Sequence, residues 1–144
     1  MLIDEGDLPG AKGQFWSALE ILQKLTKQDP TNGYWQQDLS ASYEKLGNAL
    51  AVQGDLDGAK TQYQRALDVS QKLTKQDPGN SDGQHGLSDR YKDLGILLKK
   101  QGDPDGARQD LRASRDILTN LIRLHGENPD WKADLDQVNK ELGE

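Results

Sequence analysis

Cysteine is absent from the sequence, which excludes disulfides, thiolate-zinc sites and cysteine nucleophiles and fits a reducing compartment. Long apolar runs are absent too, and none approaches the roughly 20 residues that span a bilayer. The opening Met1–Leu2–Ile3–Asp4–Glu5 lacks the apolar h-region of a secretory leader, so a cytoplasmic protein with no membrane partner is expected. Apolar residues make up only 33% of the chain, aromatics 6%, and the mean hydropathy is −0.89. That is little for a large compact core, but an array of stacked units needs only a thin seam between neighbours. Basic residues are the minority, 18 against 24 acidic, and the net charge of −6 argues against nucleic acid or an anionic membrane as partner. A charged fraction of 29% approaches the disordered regime, yet the apolar residues recur at strict helical spacing, which disordered chains do not show.

The chain repeats itself. Gly54–Asp55–Leu56–Asp57–Gly58–Ala59–Lys60, closed by Gln71–Lys72–Leu73–Thr74–Lys75–Gln76–Asp77–Pro78, occurs almost intact from Gly6 to Pro30 and more loosely from Gly102. The Gly-Asp pairs stand at 6, 54 and 102, a period of 48, and residues 6–53 and 54–101 agree at 26 of 48 positions. Self-similarity at a fixed period is the mark of a repeat array.

Within each unit the spacing predicts two helices. Leu8, Ala11, Phe15, Ala18, Leu19, Leu22 and Leu25 follow the i, i+3/i+4, i+7 rule of one helical face. Asp7, Asp55 and Asp103 read as N-caps behind a glycine stop, and Pro104 occupies the first helical position, where its missing N–H costs nothing. Asp29–Pro30 and Asp77–Pro78 stop the same helices, and Gly126 takes that role in the third copy. The other helix of each unit starts after Asn32, Asn80 and Asn128. Two helices of about 20 residues, each roughly 30 Å long and joined by short turns, make an antiparallel hairpin. By register, Leu2 corresponds to Leu50 and Leu98, so Met1–Glu5 is expected to be the last turn of a helix whose earlier part is missing. The expected organisation is a single repeat domain over 1–144, with a partial first unit 1–32, units 33–80 and 81–127, and a capping helix 128–144. In that last helix Asn139 replaces Tyr43 and Tyr91, and Asp136 replaces Ser40 and Ser88, as suits a face turned to water.

Tyr43, Leu46–Gly47, Leu50, Gly54–Asp55, Ala59, Tyr63 and Ala66–Leu67 together resemble the tetratricopeptide repeat. Tyr91, Leu94–Gly95, Leu98, Gly102, Ala107, Leu111 and Ser114 resemble it more weakly, and Ala11, Phe15 and Ala18–Leu19 look like half of a further copy. The common repeat has about 34 residues, so 48 implies helices lengthened by about two turns. The resemblance implies an all-α, right-handed superhelical solenoid of about six helices. It also implies that first helices line a concave groove that binds peptides. Carried onto this chain, the groove positions are Glu44, Asn48, Ala51 and Val52, then Lys92, Ile96, Lys99 and Lys100, with Lys140 and Glu144 on the last helix. Asn48 matches the carboxylate clamp of some members, but Glu44 stands where a lysine is expected, so a receptor for chaperone tails is not expected. Lys92, Lys99 and Lys100 suggest an acidic or mixed segment held by salt-sensitive contacts.

No reactive set is legible. His85 and His125 fall at non-equivalent positions without cysteines or clustered carboxylates at ligand spacing, so solvated or capping roles are expected and no metal. The stretch from Pro78 to Asp89 imitates a calcium loop but has proline where the first carboxylate belongs. Ser40 and Ser88 have no base near them in sequence and read as helix-surface or packing residues. The expected function is therefore a non-catalytic interaction scaffold, without cofactor, binding a protein or peptide. The alternative is a structural segment of a larger protein that self-associates through its N-terminal end, where Phe15, Trp16, Leu19 and Leu22 are expected to be uncovered.

Overall fold

The computed structural model describes residues 8–143, with side chains from residue 13 onward. The expectations for Met1–Glu5, the Gly6–Asp7 turn, the Ala11 side chain and Glu144 lie outside the described residues. Six helices follow one another: α1 Leu8–Gln28, α2 Gly33–Val52, α3 Leu56–Gln76, α4 Ser81–Lys100, α5 Pro104–His125 and α6 Pro129–Leu142. No strand occurs among the described residues. The chain is an all-α repeat of helical hairpins, as the spacing predicts.

Each boundary has a chemical cause. Asn32, Asn80 and Asn128 accept from the backbone N–H of Trp35 (3.1 Å), Gly83 (3.1 Å) and Asp130 (2.9 Å), satisfying donors that a helix start leaves open. Asp55 and Asp103 do the same for Gly58 (2.9 Å) and Gly106 (3.0 Å). A Cβ on Gly58 or Gly106 would stand 2.4 Å from the capping carboxylate, so the recurring Gly-Asp-x-x-Gly element keeps its second glycine to make room for the cap. Its first glycine, Gly54 or Gly102, sits at φ of +85° or +80°, a conformation that favours glycine, and ends the preceding helix.

The chain divides into two compact units between Leu73 and Thr74, inside α3. In the first unit, Leu39, Tyr43, Leu46, Ala49 and Leu50 of α2 are buried, as are Phe15 and Leu19 of α1 and Ala59, Tyr63, Ala66 and Leu67 of α3. A Cβ on Gly47 would lie 2.6 Å from the Tyr63 ring, so the absent side chain is what lets α3 come close. The Gln23 amide donates to the Tyr43 hydroxyl (2.8 Å), joining α1 to α2. The expectation of an uncovered patch is corrected here: Phe15 and Leu19 belong to the core, because α2 packs on that side of α1. Leu22 is partly buried, and among the described side chains of α1 the exposed large apolar residues are Trp16 (48%) and Ile21 (60%).

In the second unit, Gly95 repeats the role of Gly47, since a Cβ there would lie 2.8 Å from Leu111. Leu111, Leu118 and Leu121 of α5 form one core cluster with Trp131 and Val138 of α6, and Ile96 of α4 packs against it. The capping helix thus contributes an apolar inner side, while Asp136 is exposed on the outer one.

Candidate interaction surfaces

The groove positions of the first unit lie on α2. Val52 is exposed, and Glu44, Asn48 and Ala51 are half-buried. Asn48 is engaged inside the hairpin, where its carbonyl oxygen accepts from the Tyr63 hydroxyl. The third copy has Ile96 and Leu111 at the equivalents of Asn48 and Tyr63, and there Ile96 packs against the cluster that contains Leu111. Thus the exchange of asparagine for isoleucine follows a change of packing partner across the hairpin. The paired substitution was a signal readable in the repeat alignment.

The groove positions of the second unit meet α6. Lys92 Nζ lies 3.3 Å from Asp134 Oδ1 and 3.7 Å from Asp89 Oδ1, and its side chain is largely buried. Lys99 Nζ donates to the Glu141 carbonyl (3.0 Å) and stands 3.3 Å from its carboxylate. Two of the three lysines expected to face a ligand are therefore paired with the chain's own carboxylates. Lys100 and Lys140 are exposed. The partners Asp134 and Glu141 sit 42 residues after Lys92 and Lys99, not 48, so register gave no warning of them.

His85 completes this cluster, and its expected solvated role is corrected. Its Nε2 is 2.6 Å from Asp134 Oδ2 and 3.8 Å from Asp89 Oδ1, and its ring meets the Trp131 ring edge-on at 6.4 Å. His125 approaches Trp131 at 6.1 Å. The fold brings carboxylates to His85 that sequence spacing concealed, because Asp134 is 49 residues away. The electrostatics follow from burial and neighbours. Burial opposes the Lys92 charge, but Asp89 and Asp134 outweigh it and its pKa is raised. Burial opposes the Asp134 charge as well, yet the hydrogen bond from His85 and the Lys92 ammonium hold it below its ordinary value. For Asp89 burial prevails over His85 and Lys92, and its pKa is raised. The His85, Asp89 and Asp134 ligand atoms lie within 4.8 Å of one another, the spacing of a cation site. The Lys92 ammonium already supplies the positive charge beside the two carboxylates, so the cluster fits an ion-pair clasp between α4 and α6 better than a metal.

The hydroxyls expected to serve packing do so. Ser40 Oγ donates to the Ala66 carbonyl (2.9 Å) and meets Ser70 Oγ at 2.8 Å, while Ser88 Oγ donates to the His85 carbonyl (2.7 Å).

An open cavity of about 290 Å³ in the second unit lies among Lys99, Arg108, Lys140 and Glu141, with Ala107, Leu111 and Leu142 as its apolar side. No helix among the described residues is long and apolar enough to cross a membrane.

A solved structure shares the fold. The crystal structure of BtubC (BKLC) from P. vanneervenii is similar over 91% of this chain, with 22% identity and a TM-score of 0.55, and the chain spans about half of it, 51%. The crystal structure of MamA aligns over 99% of this chain and 93% of its own length at 20% identity and a TM-score of 0.28. The chain has no significant match among curated sequences. A family model of the tetratricopeptide repeat matches residues 39–78, from the middle of α2 to the loop after α3. The sequence likeness to the tetratricopeptide repeat thus covers residues 39–78.

Proposed function

We propose that the chain is a non-catalytic interaction module in which the first helices of a single repeat domain receive an acidic segment of a partner protein. Tetratricopeptide repeats are in general protein-interaction scaffolds, and the units 33–80 and 81–127 would carry the binding positions between the partial unit 1–32 and the cap 128–144. The observation that carries the reading is the cavity beside α6: Lys99, Arg108 and Lys140 surround an apolar side of Ala107, Leu111 and Leu142, three cations against the one carboxylate of Glu141, which is paired with Lys99. An apolar side chain flanked by carboxylates suits that composition, with the exposed Lys100 extending the positive edge. Of the other groove positions, Val52 offers an apolar contact on α2, whereas Lys92 and Asn48 act by shaping the scaffold. Recognition fits the chemistry better than catalysis, since the Ser40, Ser88 and Ser114 hydroxyls are all spent on backbone carbonyls.

The test is fluorescence titration with a peptide bearing a leucine between glutamates, at low and high salt. Binding should weaken with salt and in Lys100→Glu and Lys140→Glu chains, and equal affinity in those variants would remove the cavity from the reading.

A second reading, self-association through the N-terminal end, is favoured by the exposed Trp16 and Ile21 on α1. Sedimentation across a range of concentrations checks it, and a strictly monomeric chain would exclude it.

A further inference from the structure

In the cavity beside α6 one side chain is out of keeping with the rest. Lys99, Arg108 and Lys140 bring positive charge, and Glu141 is the one carboxylate among the lining residues. That carboxylate stands 3.3 Å from Lys99 Nζ, which also donates to the Glu141 backbone carbonyl at 3.0 Å.

The two contacts differ in kind. Glu141 lies in the last turn of α6, Pro129–Leu142, where the final carbonyls have no partner within the helix. The Lys99 ammonium therefore caps α6 through the carbonyl, a use of lysine common at helix ends. The carboxylate is not needed for that cap, and its position is unfavourable in two ways. A negative charge in the last turn of a helix meets the negative end of the helix dipole. Its partner Lys99 is 54% exposed, so water screens the attraction. When the carboxylate swings into solvent, the lysine stays anchored by the carbonyl and its charge becomes available to another acid.

The pair is also no part of the repeated scaffold. At intervals of 48 residues the place of Glu141 is taken by Asp93 and Lys45, and the place of Lys99 by Ala51. The lysine and the glutamate thus occur together only beside α6. The neighbouring ion pair at the cavity is weaker still, since Arg108 Nη1 is 3.8 Å from the carboxylate of Asp105, whose side chain is 94% exposed.

We propose that Glu141 is a built-in competitor for the acidic group of the ligand, holding Lys99 in the unliganded chain and giving it up when a carboxylate of the partner enters the cavity. This inference rests on the reading of the cavity as the seat of an acidic segment, and it adds the residue that sets how much negative charge that segment must bring. Arg108 and Lys140 receive an acid directly, whereas Lys99 is won only by displacing Glu141.

The probe is the peptide with a leucine between glutamates, titrated by fluorescence into the whole chain at low salt. Glu141→Gln should bind it about two- to fivefold more tightly than the unaltered chain, the range an exposed ion pair is worth, and the gain should fade at high salt. Removing a carboxylate also strengthens attraction for any acid at long range, and Lys99→Met separates the two causes. In the Lys99→Met chain the added Glu141→Gln should give no gain, because the cation for which Glu141 competes is gone. A gain that persists there would overturn the proposal, as would equal or weaker binding by Glu141→Gln alone. Amide exchange along α6 should be the same in Glu141→Gln as in the unaltered chain, because the carbonyl keeps the cap. Faster exchange would overturn the proposal by making the carboxylate a fastening of α6. No binding of the peptide by either chain would remove the acidic-segment reading and this inference with it, whereas binding that ignores Glu141→Gln removes this inference alone.

Discussion

The hydrogen bond that crosses each hairpin between residues 40 and 66, or 88 and 114, reverses its direction from one repeat to the next. Ser40 Oγ donates to the Ala66 carbonyl at 2.9 Å, whereas Ser114 Oγ donates to the Ser88 carbonyl at 2.9 Å. The same two helices are tied at the same level, with the donor moved to the other helix. In the second unit Ser88 keeps its hydroxyl within its own helix, on the His85 carbonyl. The two serines at one register position therefore differ in worth. Ser40→Ala should destabilise by about 1–2 kcal/mol, since it also strands the buried Ser70 hydroxyl, and Ser88→Ala by under about 0.5 kcal/mol. Urea unfolding of the two variants checks the contrast, and Ser114→Ala should behave like Ser40→Ala.

Helical glycines should respond in opposite senses. Alanine is the better helix former by about 1 kcal/mol, and at Gly86 an added methyl meets nothing within 4 Å, so Gly86→Ala should stabilise by up to about that amount. At Gly95 the methyl would lie 2.8 Å from Leu111 and 3.3 Å from the Ala107 carbonyl. Overpacking of that kind costs about 1–3 kcal/mol and outweighs the propensity gain. Thermal melts of both variants, recorded side by side, give the sign of each change.

Much of the scaffold was legible because its causes are local. Asparagine caps, the Gly-Asp element and Pro104 act within a few residues of themselves, and the three copies cross-check one another. The contacts of α6 were not legible. Its carboxylates reach Lys92 and Lys99 at an offset that register does not predict, so lysines that looked available for a ligand are paired at home. Phe15 misleads for a related reason: periodicity shows that a face is apolar without showing which neighbour covers it.

Asp110 stands where the other copies have Gln14 and Gln62, and it introduces a charge into a position otherwise neutral. Burial, with Asp103 adding to it, pushes its pKa up from 3.8 to about 6. A carboxylate whose pKa is raised on folding contributes stability that is complete below the ordinary value and lost as pH rises through the raised one. Asp110→Gln should therefore match the unaltered chain at pH 4 and exceed it at pH 8. A rise of that size corresponds to about 3 kcal/mol, and solvent screening of a half-exposed group reduces this to about 1 kcal/mol. Denaturant midpoints at several pH values test it, and an advantage independent of pH would refute the electrostatic cause.

The two lysine pairs on α4 should differ in strength although their chemistry is the same. Lys99 and Glu141 meet where the lysine side chain is 54% exposed, and water and salt screen such a pair to under about 1 kcal/mol. Lys92 is only 14% exposed and stands between two carboxylates, one of them also bound to His85. Lys92→Met removes the one ammonium at that site and leaves Asp89 and Asp134 facing each other in a partly dry setting. A loss of about 2–3 kcal/mol is expected, with faster amide exchange along α6, because the remaining charges repel across the α4–α6 contact. Adding Asp134→Asn to Lys92→Met should recover part of that stability by relieving the repulsion, whereas the same substitution alone should destabilise. Measured as a double-mutant cycle, that change of sign separates a buried ion-pair clasp from simple loss of lysine packing, which Asp134→Asn could not repair.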